Sequence, residues 1–305
     1  DAGVPAVMVA HILMPALTGS SELPASLSPQ AIRYLREEMG FDGLIVSDSM
    51  SMGAITNNRG LEEASVTAFQ AGIDIILFGP WTDVEPGDRK RIFTALKEAV
   101  ENGAITQERL DQSVRRILTA KMEHGIIDDP WPRRENLDEL VSPEHRETAR
   151  RIARESITLV RDSGALIPLP VQEGVPLIWP AEKEKALAPL LETCPFLEPH
   201  LLPLGAPAAE VEKLVESVRS FTPVLVGTYD LRRYPAWSGM VNELAAVTEV
   251  AVLAMASPYD LLEVPRAAAY LAAYNDGSDS VQALGEILRG TLAPQGRLPV
   301  ELPGY

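Results

Sequence analysis

Gly43-Leu44-Ile45-Val46-Ser47-Asp48-Ser49-Met50-Ser51-Met52-Gly53-Ala54-Ile55 is the stretch on which the reading of this chain turns. A short run of buried-strand character, Leu44 to Ser47, ends on Asp48, and a loop of small residues follows. In an α/β fold the C-terminal ends of strands are where the backbone leaves room for a ligand. A carboxylate there is a catalytic candidate. An Asp at a strand exit also caps the next helix or turn, and position alone leaves both readings open.

Outward from that stretch, strands and helices alternate. Ala6 to Ala10 is an apolar strand ending at His11, and a loop with Pro15, Gly19 and Pro24 follows. Ser28-Pro29 places a capping serine before a first-turn proline, which predicts a helix to about Met39. Leu61 to Ala71 reads as a second helix. Ile73 to Phe78 reads as a third strand ended by Gly79-Pro80, and a helix is expected from about Pro86 to Asn102. Strands separated by single helices imply parallel βαβ units with right-handed crossovers. Three such units do not close an eight-stranded barrel, so an open sheet with an unpaired apolar edge is expected. Thr106 caps one more helix, in which Leu110, Val114, Ile117 and Leu118 recur at helical spacing and predict a buried face. Gly125 ends it.

Asp128-Asp129-Pro130-Trp131-Pro132-Arg133-Arg134-Glu135-Asn136 breaks the pattern with prolines and charges, and residues 130–141 are expected to link two domains. Ser142-Pro143-Glu144 caps a helix to about Glu155, which opens the second domain. Strands are predicted at Ile157–Val160, Leu177–Trp179, Val224–Val226 and Val250–Leu253, and helices at Lys185–Leu191, Ala208–Arg219, Met240–Ala246 and Ser280–Leu288. That alternation predicts a doubly wound α/β sandwich over 142–305.

The order of motifs resembles glycoside hydrolase family 3. The resemblance rests on His11 after its strand and on Leu23-Pro24-Ala25-Ser26-Leu27-Ser28-Pro29. It continues through Leu35-Arg36-Glu37-Glu38-Met39-Gly40-Phe41-Asp42-Gly43, Ser47-Asp48-Ser49-Met50-Ser51-Met52 and Ala71-Gly72-Ile73-Asp74-Ile75-Ile76-Leu77. The branch it is most similar to is the β-N-acetylhexosaminidases, in which the Asp of Ser/Thr-Asp-x-x-x-Met is the nucleophile. Asp48 and Met52 match that pattern, and Ser49 stands where the β-glucosidase branch usually has Trp. The resemblance implies that residues 1–129 are the last three βα units of a (β/α)8 barrel with trailing helices, followed by the sandwich domain. Ala293-Pro294-x-Gly296-Arg297-Leu298-Pro299-Val300 is similar to the usual end of that second domain.

The function so implied is a retaining exo-β-N-acetylglucosaminidase acting on N-acetylglucosamine-containing oligosaccharides through a glycosyl-enzyme ester on Asp48. The alternatives are a β-N-acetylglucosaminide phosphorylase of the same family and a non-catalytic carbohydrate-binding remnant. In this branch the acid/base is an Asp-x-His dyad on a loop before the strand that ends at His11. The chain has His11, His124, His145 and His200 and no Asp-x-His. The dyad and the Lys-His-Phe-Pro-Gly-His-Gly segment are therefore expected upstream of Asp1, making this chain an incomplete catalytic unit.

His11 is expected near the sugar, as a substrate-side or nucleophile-supporting residue, or as a hydrogen-bonded brace of the rim. Met52 is the other substrate-side candidate, although a methionine in such a loop more often packs beneath it. Asp74 stands early in its strand and reads as structural. His124 suits a helix C-terminus, and His145 and His200 read as exposed. Asp260 and Glu263 follow a strand end of the second domain, and Glu263 is the weaker acid/base candidate. No His/Cys/Asp cluster has metal-ligand spacing and no glycine-rich loop suits a phosphate, so neither metal nor cofactor is expected.

A formal net charge of −16 over 305 residues disfavours nucleic acid and anionic membrane as partners. The single cysteine, Cys194, permits no intrachain disulfide and reads as a small buried hydrophobe. No segment is long and apolar enough to span a bilayer. The chain begins at Asp1 and enters a strand almost at once, so a removed upstream segment is expected, and compartment and oligomeric state stay open.

Overall fold

The computed structural model describes residues 3–79, 85–170 and 173–304. The chain divides into two compact units, Asp1–Arg133 and Arg134–Tyr305.

The first unit runs β1 (Ala6–Val9), α1 (Pro15–Thr18), α2 (Pro29–Arg33), β2 (Leu44–Ser47), α3 (Gly53–Thr56), α4 (Leu61–Ala71), α5 (Pro86–Glu101) and α6 (Gln107–Glu123). β1 and β2 pair in parallel, with Ala6 opposite Leu44 and Val9 opposite Ser47. Ser28 caps α2 as its sequence predicts, its hydroxyl accepting from the Ala31 N–H. The helix does not run to Met39 as a regular α-helix. After Arg33 it widens into a π-turn over Tyr34–Glu38. Gly72, at φ 118°, ends α4 in a conformation that side chains disfavour. The core beneath β2 gathers Leu27, Ile32, Ile45, Met50, Ile55, Ala64, Ala68 and Ile73.

The third strand is not a strand. Residues 73–78 run parallel to β2 and meet it in a single bridge, Val46 to Ile75. Side chains occupy the ladder positions on either side of that bridge. The Asp74 carboxylate accepts the Ile45 N–H (3.0 Å), and the Ser47 hydroxyl accepts the Leu77 N–H (2.9 Å). Pro80, named with Gly79 as the end of that strand, lies outside the described residues. Among the described residues the other edge of β1 has no strand partner. Met8 on it is 57% exposed, and Val4, Ile12, Leu13 and Met14 beside it are exposed too.

The face of α6 also differs from its reading. Val114 and Leu118 are exposed, and the buried residue is Ser113. Leu110 and Ile117 are partly buried, Leu110 against Phe69, Ala99 and Ile105, while a polar network, described below, draws the Arg109/Ser113/Arg116 side inward in place of Val114 and Leu118.

The second unit runs α7 (Pro143–Ser156), β3 (Thr158–Asp162), β4 (Val175–Pro180), α8 (Ala188–Thr193), β5 (Leu197–Leu202), α9 (Ala208–Val218), β6 (Val224–Thr228), α10 (Pro235–Leu244), β7 (Val250–Ala254), α11 (Asp260–Glu263), β8 (Ala269–Ala272) and α12 (Ser278–Leu288). Its sheet has the order β3-β8-β7-β6-β4-β5, parallel except for β3, which runs against β8. Alternate residues of each strand feed two cores, one on each face. Trp179, Leu225, Leu253 and Leu271 lie in one with Leu190 and Leu284; Ile178, Val226, Val252 and Tyr270 lie in the other with Val215 and Trp237. Such a sheet, covered on both sides by helices, is doubly wound.

Candidate active site

Asp48 is partly buried and follows the last residue of β2. Its own N–H donates to the Val9 carbonyl (3.0 Å), which extends the β1–β2 pairing by one step and fixes where the side chain leaves the sheet. Its Oδ1 accepts the Ser49 N–H (2.7 Å). Among the described residues Oδ2 has no hydrogen-bond partner and is not sealed from solvent. One carboxylate oxygen is thus anchored and the other is open. That arrangement suits a nucleophile better than a cap, because the only N–H held is that of the next residue.

The loop after Asp48 is pinned from two sides. Met50 N–H donates to Leu77 O (2.9 Å), and the hydroxyls of Ser49 and Ser51 lie 2.8 Å apart, with Ser51 accepting Gly79 N–H (3.2 Å). On the other side, His11 Nε2 lies 2.9 Å from the Ser49 carbonyl oxygen and Nδ1 lies 2.6 Å from Ser26 Oγ. A carbonyl only accepts, so Nε2 carries a proton, and in the neutral ring Nδ1 then accepts from the Ser26 hydroxyl. Ser26 is fully buried. His11 therefore links the segment that precedes α2 to the residue next to Asp48. Sequence reading placed His11 at the rim but missed Ser26, although it lies inside the quoted Leu23–Pro29 motif.

The methionine beneath this loop is Met50, which is fully buried, not Met52, which is 45% exposed at the start of α3. Met52 has the freedom to line a ligand site that a packed methionine lacks.

A second polar network lies at the opposite, N-terminal end of β2. Asp74 is buried, and its carboxylate accepts from Arg36 (2.5 Å), Ser113 Oγ (2.6 Å), Ile45 N–H (3.0 Å) and Arg116 (3.4 Å). Arg109 stands 3.7 Å away and spends its donors on Phe69 O, Ile73 O and Ser113 Oγ. Burial pushes the Arg36 and Arg109 guanidiniums down from their ordinary value, against the opposing pull of Asp74. Asp74 is structural, as its place in the sequence suggests. The signal for its partners was the spacing Arg109, Ser113, Arg116, which puts all three on one face of α6.

The remaining candidates fall elsewhere. His124 is the C-cap of α6, His145 is exposed on α7, and His200 is half-buried on β5 rather than exposed. In the second unit Asp260 is buried and accepts the Leu231 N–H (2.9 Å), and burial pushes its pKa up. Glu263 ends α11, where its backbone carbonyl accepts from Asn242. Cys194 is buried, and burial pushes its thiol up to about 11. Among the described residues no group of acids, histidines and cysteines is arranged to hold a metal ion. No helix among them is long and apolar enough to cross a membrane.

Residues 1–120 match the family model described as the glycosyl hydrolase family 3 N terminal domain, which places this region of the chain in glycoside hydrolase family 3. It is 29% identical over 261 residues, 81% of this chain, to a β-N-acetylglucosaminidase/β-glucosidase of Cellulomonas fimi, and covers 42% of that protein. It is 38% identical over 121 residues, 38% of this chain, to the β-hexosaminidase LpqI of Mycobacterium tuberculosis, and covers 29% of it. Among solved structures it is similar to the family 3 β-N-acetylglucosaminidase of Paenibacillus sp. str. FPU-7, at 31% identity and a TM-score of 0.84, over 97% of this chain and 58% of that one. The chain thus spans less than two thirds of each of these relatives.

Proposed function

We propose that this chain carries the nucleophile of a retaining exo-β-N-acetylglucosaminidase, and that the nucleophile is Asp48. The observation that carries the reading is the pair of unlike carboxylate oxygens: Oδ1 held by the Ser49 N–H at 2.7 Å and Oδ2 open. Oδ2 attacks the anomeric carbon, the bond from that carbon to the leaving oxygen breaks, and the leaving oxygen takes a proton. Water then attacks the same carbon, loses a proton and releases the Asp48 carboxylate. The Ser49 N–H stabilises the ionised carboxylate before attack and after release, and fixes its plane.

His11 is a positioning residue in this reading. Both of its ring nitrogens are engaged, so it is not the proton donor, and no Asp-x-His occurs in the chain. Proton transfer falls to a group other than these strand-end residues. The exposure of Met52 and its position four residues after Asp48 support a substrate-side role for it. The N-acetylglucosamine preference is supported by Ser49 in place of Trp and by the activities named for the Cellulomonas and Paenibacillus relatives.

The test is Asp48→Asn in the full gene product, assayed on an aryl β-N-acetylglucosaminide. Turnover should fall by about three orders of magnitude or more with the fold intact. The wild-type product, followed by NMR in its first seconds, should keep the β configuration. Near-normal turnover in the variant, or an inverted product, rejects the assignment. If phosphate in the buffer diverts the product to a sugar 1-phosphate, the enzyme is the phosphorylase instead.

A further inference from the structure

We propose that the first unit has a second binding site, for a phosphate-class oxyanion, in the arginine-lined cavity at the N-terminal end of β2. The cavity, of about 280 Å³, is lined by Arg33, Arg36, Arg109, Arg116 and Gln112 among others. Four guanidiniums on one cavity run against the grain of a chain whose net charge is −16.

The donors divide into used and unused. Arg36 donates to Asp74, Phe41 O and Gly43 O, and Arg109 to Phe69 O, Ile73 O and Ser113. Both are committed to holding the fold. Arg116 makes one long contact of 3.4 Å from Nη1 to Asp74, and Arg33 makes no hydrogen bond among the described residues. Arg33, which is exposed, and Arg116, which is partly buried, therefore line the cavity with donors to spare.

Negative charge does not fill the deficit. The buried carboxylate of this network, Asp74, already faces three arginines. Glu37 and Asp42 also line the cavity but, like Arg33, are exposed; neither forms an ion pair with an arginine among the described residues, and the charge of Asp42 is the least of the influences named on Arg36. The like charge of Arg116 adds to the burial that pushes Arg36 and Arg109 down. An anion here relieves that repulsion.

The class of anion follows from geometry. Arg33 lies on α2 and Arg116 on α6, so a ligand must offer acceptor oxygens toward two elements at once. A tetrahedral oxyanion does this, and each guanidinium can take two of its oxygens, whereas a planar carboxylate serves one fork well. The site is separate from Asp48, because the intervening strand of four residues is about 13 Å long. The proposal therefore stands whether or not Asp48 is the nucleophile.

Calorimetric titration of inorganic phosphate into the full gene product, at fixed ionic strength with chloride as the balance, tests it. Saturable one-to-one binding is expected, with sulfate competing and acetate failing to compete. Arg33→Gln and Arg116→Gln should each weaken binding about tenfold or more, the usual effect of losing a charge-assisted contact. Arg33 has no part in the Asp74 network, so its variant tests the site without disturbing the fold. Asp48→Asn should bind phosphate as the wild type does. Absence of binding, or binding unchanged in both arginine variants, overturns the proposal. So does binding lost in Asp48→Asn and kept in the arginine variants, which would place the phosphate at the other end of the strand.

Discussion

Replacing Asp74 by Ala should unfold the first unit long before the rest of the protein. The carboxylate is fully buried and Arg36 beside it is 14% exposed, so this is an interior ion pair and not a screened surface one. Alanine leaves the Ile45 N–H, the Ser113 hydroxyl and the Arg36 Nη2 without the acceptor they now share. Breaking a buried pair by removing one partner costs about 3–5 kcal/mol, and stranding a buried N–H costs about 1–3 kcal/mol. The two overlap, because relaxation of one group lets water reach the other, so about 4 kcal/mol is the expected loss. That corresponds to roughly 15 °C in melting temperature for a unit of this size. Asp74→Asn keeps one acceptor oxygen and loses the charge, and should fall between the two. Urea unfolding gives the size of the loss, and hydrogen exchange at the Ile45 amide gives its place, since that N–H now points at Asp74. A melting-temperature drop below about 2 °C, or an Ile45 amide still protected in Asp74→Ala, would refute the idea that this carboxylate replaces a ladder bond.

Ser26→Ala, which removes the donor that holds the His11 tautomer, should lower kcat about tenfold and leave KM nearly unchanged. His11→Ala should lower kcat about a hundredfold, the scale of a misplaced nucleophile; a selective rise in KM would instead make His11 a sugar ligand. Gly227→Ala should destabilise the second unit by about 1–3 kcal/mol in thermal unfolding, because its Cβ would lie 2.3 Å from the buried Trp179 ring. For Asp260 the sign follows from burial: the folded pKa is raised, so the folded state binds the proton more tightly than the unfolded one. Its contribution is full below the unfolded pKa, about 3.9, and is lost as pH rises through the folded value. Asp260→Asn keeps an acceptor for Leu231 N–H and offers an N–H to the neighbouring Thr228 hydroxyl, which has no other partner among the described residues. It should raise the melting temperature at pH 7 and not at pH 4, and a gain of equal size at both would remove ionisation as the cause.

The parts of the fold legible in the sequence are those whose local signals and packing agree. β2 and α4 occupy the residues read for them, Leu44–Ser47 and Leu61–Ala71, because apolar runs there coincide with clear breakers at both ends. The misses have physical causes. β5 carries Pro199 in its middle, which argues against a strand, but β5 is the last strand of its sheet and an edge tolerates a missing donor. β8, Ala269-Tyr270-Leu271-Ala272, has no β-branched residue and depends on burial on both faces rather than on propensity. On α6 the apolar spacing was only half right: Leu110 and Ile117 are partly buried, but Val114 and Leu118 face outward, since the Arg109, Ser113 and Arg116 contacts to one buried carboxylate outweigh what those two would gain. At the site, the position of Asp48 could be read from its strand end. The bond from Ser26 to His11 could not, because a serine among small residues carries no mark of what it touches.

Asp48 and Asp74 show why the same side chain serves opposite purposes at the two ends of one strand. At the N-terminal end of β2 the backbone has an N–H, that of Ile45, which the neighbouring segment leaves without a carbonyl, and α6 brings cations to it. A carboxylate there is closed on every side and is worth only what it stabilises. At the C-terminal end the pairing of β1 and β2 finishes on the Asp48 N–H itself, so nothing of the sheet remains to claim the side chain. One oxygen is taken by the next peptide, and the loop beyond is held by His11 and by Leu77 rather than by Asp48. In the proposed mechanism the loop can thus stay in place while the carboxylate forms and breaks a bond. A nucleophile that also braced its own loop would disturb that loop at every turnover. Dividing the tasks between Asp48 and His11 avoids this, and it is why substitution of His11 should move kcat without unfolding the unit.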